Sequence, residues 1–167
     1  VAERLKVMLL TATASSSVLH DIKIEFSLKD SQVIAPAPPN REELEFRVVK
    51  LSDKNARRES IAVYAEKARE EVGGSGIVFC PFVNGVDGVQ EIANSLKNHI
   101  DDKYQVYQYS GSKPKNLVVR GSYNEHKRNQ QKLFKKDDKG LMVATKAFGM
   151  GVNKTDVNYT IHSGIPS

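Results

Sequence analysis

Apolar and polar residues follow two different periods along this chain of 167 residues. Leu5 to Leu10 is an apolar run interrupted once, by Lys6, and predicts a buried strand that ends in Thr11-Ala12-Thr13-Ala14. The serine cluster Ser15 to Ser17 predicts the cap of a helix running towards Phe26, because a serine hydroxyl accepts from the free N–H groups of a first turn. Gln32-Val33-Ile34-Ala35 predicts a short strand. In Pro36-Ala37-Pro38-Pro39-Asn40 three prolines fix φ and lack donors, which predicts a stiff extended linker and a domain boundary.

Beyond the linker the pattern becomes regular. Leu44 to Leu51 alternates, with Leu44, Phe46 and Val48 on one face, and predicts a strand. Residues 54–72 predict a helix with Ile61, Tyr64, Ala65, Ala68 and Val72 on its apolar stripe, stopped by Gly73-Gly74. Gly76 to Cys80 is a fully apolar strand pattern. Residues 85–98 predict a second helix with Val89, Ile92, Ala93 and Leu96 inward, and Val106 to Tyr109 a strand. Residues 111–122 read as a polar loop, and residues 123–135 as a basic helix burying Leu133 and Phe134. Leu141 to Thr145 and Val157 to His162 complete the strands. Strands alternating with helices of this length imply βαβ crossovers and a mostly parallel sheet, an α/β fold.

Composition narrows the chemistry only a little. Lysine and arginine total 25 against 20 acids, a net charge of +5 that many proteins without an anionic partner also carry. The distribution is more telling: from Lys113 to Lys136 the chain holds Lys113, Lys115, Arg120, Lys127, Arg128, Lys132, Lys135 and Lys136, against the single acid Glu125. This is either a solvated helix face and loop or a track for a phosphate backbone. Cys80 is the one cysteine, so no internal disulfide forms, and its apolar neighbours Ile77-Val78-Phe79 suit a buried small hydrophobe rather than a nucleophile. His20, His99, His126 and His162 lack metal-ligand spacing. No apolar run is long enough to span a bilayer, and Val7 to Leu10 is too short for a signal sequence; the expectation is an intracellular protein, cytoplasmic or nuclear, without a membrane partner.

The stretch from Val143 to Lys154 carries the strongest signal. The apolar run Leu141 to Ala144 ends in the hydroxyl of Thr145; Gly149 and Gly151 bracket Met150, and Asn153-Lys154 follow. A buried strand opening into a glycine-bearing polar loop is how α/β proteins build ligand sites at the carboxyl edge of a parallel sheet. Glycine lets backbone N–H groups approach a phosphate.

Val143 to Lys154 resembles motif V of RecQ-like DNA helicases of superfamily two. Leu10 to Ala14 is similar to their motif III, Ile77 to Cys80 to motif IV, Tyr109-Ser110-Gly111 to a strand-end motif of the second lobe, and Pro39-Asn40-Arg41 to the link between lobes. The motifs occur in family order over essentially the whole chain. The resemblance implies a RecA-like three-layer α/β/α fold. Residues 1–35 would be the end of the first lobe, 36–43 the linker, and 44–167 most of the second lobe. It implies ATP and Mg²⁺ bound between lobes, single-stranded or forked DNA across their top, the first lobe of the same chain as partner, and a role in DNA repair or recombination.

Under the resemblance, Thr145 donates to a DNA phosphate, although a bare strand-end or capping hydroxyl fits the sequence too. Lys146, Lys113, Lys115 and Lys127 add phosphate contacts, and Ser110 and Gly111 offer backbone N–H groups. Phe148 either stacks on a base or packs under the loop. Gly149, Gly151 and Asn153 face ATP, while Thr11 and Thr13 couple the lobes. Relatives carry Asn or Ser and then Arg after the position of Cys80; Pro81-Phe82-Val83 replaces them, which puts a side-chain DNA contact there in doubt.

The 167 residues contain no Gly-x-x-x-x-Gly-Lys-Ser/Thr and no Asp-Glu pair after an apolar strand. The family's arginine-finger motif would lie just past Ser167, where the chain stops without a terminating element. No catalytic residue is therefore expected in this segment, and no ATPase activity from it alone. A lobe of an RNA helicase or duplex translocase, or a non-motor nucleic-acid-binding module, are the alternatives.

Overall fold

A computed structural model describes residues 6–11, 14–34, 43–51, 53–100, 104–149 and 152–164, except for the side chains of residues 54 and 55. The predicted linker at 36–40, the Pro39-Asn40-Arg41 match, Thr13 and Gly151 lie outside the described residues. The chain divides into two compact units, Val1–Val48 and Val49–Ser167.

In the first unit the helix α1, Ser16–Glu25, forms as its cap predicts: the Ser15 hydroxyl accepts from the Val18 N–H at 3.3 Å. Lys23 pairs with Asp30 at 2.8 Å at the start of a short 3₁₀ turn, Asp30–Gln32. Three predicted strands are corrected. The described residues 6–11, 33–34 and 43–51 have no regular secondary structure. Most of their apolar side chains are exposed, Leu10 at 87%, Phe46 at 85% and Val48 at 97%, while Val33 and Leu51 are partly buried. The physical reason is that a strand persists only when another strand takes up its backbone groups and a layer covers its apolar face. Among the described residues neither is supplied.

The second unit holds the sheet. Helix α2, Lys54–Val72, is followed by β1, Ser75–Phe79; α3, Val89–His99; β2, Val106–Tyr109; α4, Tyr123–Lys136; β3, Leu141–Ala144; and β4, Val157–His162. The strands lie in the order β2-β3-β1-β4, and every pair is parallel. Alternation along each strand feeds two cores. Val78, Leu141 and Val143 meet Ile61, Ala65, Val89, Ile92 and Leu96 of α2 and α3. Ile77, Met142 and Ala144 face the other way, onto Phe134 of α4 and Phe148. The result is a three-layer α/β/α arrangement with apolar strands covered on both faces.

Details depart from the sequence pattern. On α2, Val72 is 52% exposed and the stripe ends instead in buried Arg69, whose guanidinium lies 3.7 Å from the Tyr104 ring centre. Val72 is the last residue of the helix. On α4, Phe134 is buried, but Leu133 is turned one position round the helix and is 43% exposed. Helix α3 starts at Val89 rather than 85, because Gly85 to Gly88 closes a turn, with the Gly88 N–H donating to the Gly85 carbonyl at 2.8 Å.

One irregularity re-aims a strand. The β1–β4 register slips between Ser75 and Gly76, so Ser75 pairs with Val157 but Gly76 with Tyr159. The bulge turns Val157 towards α4 while Tyr159 and Ile161 face α2. Gly76 permits this, since a Cβ there would collide with the Tyr159 ring.

Candidate nucleic-acid interface

All four strands point the same way, so their carboxyl ends share one edge. The residues immediately after the strands follow the strand order: Ser110, Thr145, Cys80, Ser163. The ladder extends one step into this row: the N–H of Thr145 donates to Tyr109 at 3.2 Å, that of Cys80 to Ala144 at 2.7 Å, and that of Ser163 to Phe79 at 2.9 Å. Three hydroxyls and a thiol thus form a line about 14 Å long, taking strand spacing as about 4.8 Å. All four residues are buried.

The hydroxyls differ in what they already hold. Ser110 is closed into a network: its Oγ donates to the Ser112 carbonyl at 2.7 Å, and its N–H donates to the Tyr123 hydroxyl at 3.2 Å. Tyr123 in turn donates to the Ser110 carbonyl at 3.1 Å. The main-chain N–H expected to face a phosphate is therefore taken in this conformation, and Gly111, exposed, is the open position beside it. Thr145 precedes a 3₁₀ turn, Lys146–Phe148, but its hydroxyl does not cap that turn. The Ser163 Oγ is buried and has no hydrogen-bond partner among the described residues.

The loops after β2 and β3 adjoin: a Cβ at Gly111 would lie 3.7 Å from the Ala147 Cβ. Phe148 packs inward. Its ring meets Tyr109 edge-on at 5.1 Å and Phe134 at 5.8 Å, and it is 1% exposed. It has no free face for a base in this conformation. Lys146 is exposed at the start of the turn. Gly149 has φ −67°, and a Cβ there would meet only the Lys146 carbonyl at 3.6 Å, so this conformation does not require glycine. Asn153 is exposed further along the same loop. What the described loop offers a nucleotide is one carboxamide and an open main chain; the phosphate cradle and Mg²⁺ ligands correspond to no motif in the 167 residues.

Two buried interactions hold this loop's far end. Lys154 Nζ donates to the Asp137 carbonyl and to Asp156 Oδ2, each at 2.8 Å, and lies 5.1 Å from the Phe134 ring centre. The Lys154 bond holds the Asp156 carboxyl below its ordinary value. Ser75 Oγ also donates to the Asp137 carbonyl, at 2.9 Å. At the other end, burial and then the nearby Asp87 charge push the Cys80 thiol up to about 12, which keeps it neutral.

The basic stretch splits. Lys113 and Lys115 are exposed on the loop after β2, and Lys127 Nζ sits 5.8 Å from the ring centres of both Tyr109 and Tyr123 near the start of α4. Helix α4 then runs 14 residues away from this edge, about 21 Å at 1.5 Å per residue. Lys135 and Lys136 stand at the opposite edge. Thr11 is exposed in the first unit. A cleft of about 410 Å³ between α2 and α3, lined by Arg58, Glu59, Glu91, Asn94, Ser95, Asn98 and His99, belongs to the helical layer rather than to the strand ends.

Sequence reasoning passed over Ser163, Lys154 and Phe82. Ser163 had a weaker signal, a hydroxyl directly after the alternating strand pattern Val157 to His162, as Thr145 directly follows Leu141 to Ala144. Lys154 had none, because a polar residue in a polar loop gives no hint of burial.

The model of the helicase conserved C-terminal domain matches residues 56–167. Over 160 residues the chain is 30% identical to the ATP-dependent DNA helicase RecQ of Bacillus subtilis, covering 96% of this chain and 23% of that protein. It is 28% identical to the RecQ of Pasteurella multocida over 96% of this chain and 22% of that one. It is 30% identical to a putative ATP-dependent RNA helicase, R290, of Acanthamoeba polyphaga mimivirus, over 96% of this chain and 25% of that protein. The chain thus spans about a quarter of the length of these relatives. No solved structure matches it.

Proposed function

The chain belongs to the helicase conserved C-terminal domain family, and on that premise we propose that it is the end of the first lobe and most of the second lobe of a RecQ-type, ATP-dependent DNA helicase. The division is residues 1–35, a linker at 36–43, and 44–167. The lobe binds single-stranded DNA along its carboxyl edge and closes on ATP, so that hydrolysis moves the strand. The observation that carries this reading is the row Ser110, Thr145, Cys80, Ser163, which ends four parallel strands at the start of the Val143–Lys154 motif.

Within it, Thr145 donates to a phosphate, which its lack of a capping bond supports. Gly111, Lys146, Lys113, Lys115 and Lys127 supply further N–H and charge contacts, and Ser110 shapes the strand end through Tyr123. Phe148 acts as packing beneath the loop. Bound ATP would supply the binding energy that closes the cleft and the phosphoanhydride whose cleavage reopens it, with Mg²⁺ held by ligands of the first lobe; Gly149, Gly151 and Asn153 face it. Thr11 and Thr13 couple the lobes. Residues 1–167 by themselves turn over no ATP, since the cradle and the arginine finger are not among them.

The test is ATPase activity of the full-length protein with single-stranded DNA and with RNA. Stimulation by DNA is expected, and Thr145→Ala should lower it by removing a phosphate hydrogen bond of about 1–2 kcal/mol. Absence of stimulation by either nucleic acid rejects the motor reading. A single observation favours the RNA alternative: the similarity to a relative named as a putative RNA helicase. Preferential stimulation by RNA would select it.

A further inference from the structure

We infer that Phe82 is a nucleobase-stacking residue: it offers a ring on which one base of a bound single strand stacks, at the position after β1 where a polar side-chain contact was in doubt. The inference rests on the nucleic-acid-binding reading above and adds a contact of another kind to it.

A solitary exposed apolar side chain is ordinary on any protein. Phe82 differs in how firmly it is held while 61% exposed. Pro81 precedes it and fixes the local backbone. Its carbonyl accepts from the Val89 N–H at 3.2 Å, and it forms a bridge with Gly88. Gly88 is confined in turn, since a Cβ there would lie 2.6 Å from the Asn84 backbone. Arg57 pairs with buried Asp87 at 2.9 Å and ties the loop to the first turns of α2. Asn84 Oδ1 accepts from the Lys115 N–H at 2.8 Å and ties it to the loop after β2. A ring displayed on so braced a loop has little freedom left to lose on binding.

Its surroundings select the ligand. Phe82 lies three residues beyond the end of β1, on the edge that carries Thr145 and Ser163. The loop bonded to its own carries Lys113 and Lys115, both exposed. An exposed aromatic beside cations at a strand-end edge suits a polyanion with flat apolar faces. Stacking needs no particular base, whereas the Asn, Ser or Arg expected after Cys80 would read phosphate only.

The experiment uses the full-length protein with two probes of equal length and charge: oligo(dT), and an abasic sugar-phosphate oligomer. Phe82→Leu should weaken oligo(dT) binding at least about fivefold and leave abasic binding unchanged. Phe82→Trp should restore oligo(dT) binding, with its added indole fluorescence quenched on binding. Equal affinity of wild type and Phe82→Leu for oligo(dT) overturns the inference alone. An equal weakening on both probes also overturns it, and assigns Phe82 to packing against protein. Wild-type protein that binds neither probe overturns the nucleic-acid reading together with this one.

Discussion

Lys154 donates its buried ammonium to the main-chain carbonyl of Asp137 at 2.8 Å, across the end of α4. The same ammonium meets Asp156 at 2.8 Å, so one side chain fastens the end of the Val143–Lys154 motif to the helix beneath it. Lys154→Met removes both charge-assisted bonds and leaves the Asp137 carbonyl with the Ser75 hydroxyl as its donor. We expect a destabilisation of about 2–3 kcal/mol, read as a lower urea midpoint of the domain. Asp156 is the half-exposed partner, and Lys154 lowers its carboxyl below the ordinary 3.8. A lowered acid stabilises the fold above its unfolded value and gives up that contribution as pH falls through the folded value. Asp156→Asn should therefore flatten the decline of stability below about pH 4.

Gly76 is required by its neighbour across the sheet. Its Cβ would enter the Tyr159 ring, whose position follows from the bulge in β4. Gly76→Ala should cost about 1–3 kcal/mol as an overpacked site. Adding Tyr159→Val should recover part of that cost, and a double-mutant cycle in urea measures the coupling. Strict additivity would show that the two residues do not meet.

Cys80 should be chemically quiet in the folded protein. Burial and the Asp87 charge both favour the neutral thiol, with its titration pushed up to about 12. At pH 8 an ordinary thiol is partly ionised and reacts. Mass spectrometry of the Cys80 peptide after brief alkylation should find it unmodified in native protein and modified in denaturant. Native labelling at pH 8 would contradict this burial.

The cations separate by position. Replacing Lys113, Lys115 and Lys127 with alanine in the full-length protein should lower the salt slope of single-strand binding, by about 0.7 for each phosphate that no longer meets a cation. Replacing Lys132, Lys135 and Lys136 should leave the slope unaltered, because α4 carries them away from the strand ends. Equal effects of the two triple variants would mean that the whole helix face meets the strand.

Much of the second unit was legible in advance. β2 at Val106 to Tyr109, the helix over 54–72 and the inward set Val89, Ile92, Ala93 and Leu96 all follow from local periodicity, which burial between two layers reinforces. The apolar runs at 6–10 and 44–51 carried the same signal and formed no strand. Periodicity records a capacity to pair, and the partner must come from elsewhere.

By itself the sequence determined the class of fold, the order of the elements, the hydroxyl at the end of β3 and the family resemblance, because each is written in residue type and spacing along the chain. Tertiary structure alone decided the rest. It set the order β2-β3-β1-β4, which lines up Ser110, Thr145, Cys80 and Ser163. It buried Phe148 and Lys154, and braced an exposed Phe82. It also split one basic stretch between two edges of the sheet. These depend on which parallel neighbours fit side by side and on which face a helix covers, contacts between residues far apart in sequence that no local pattern records.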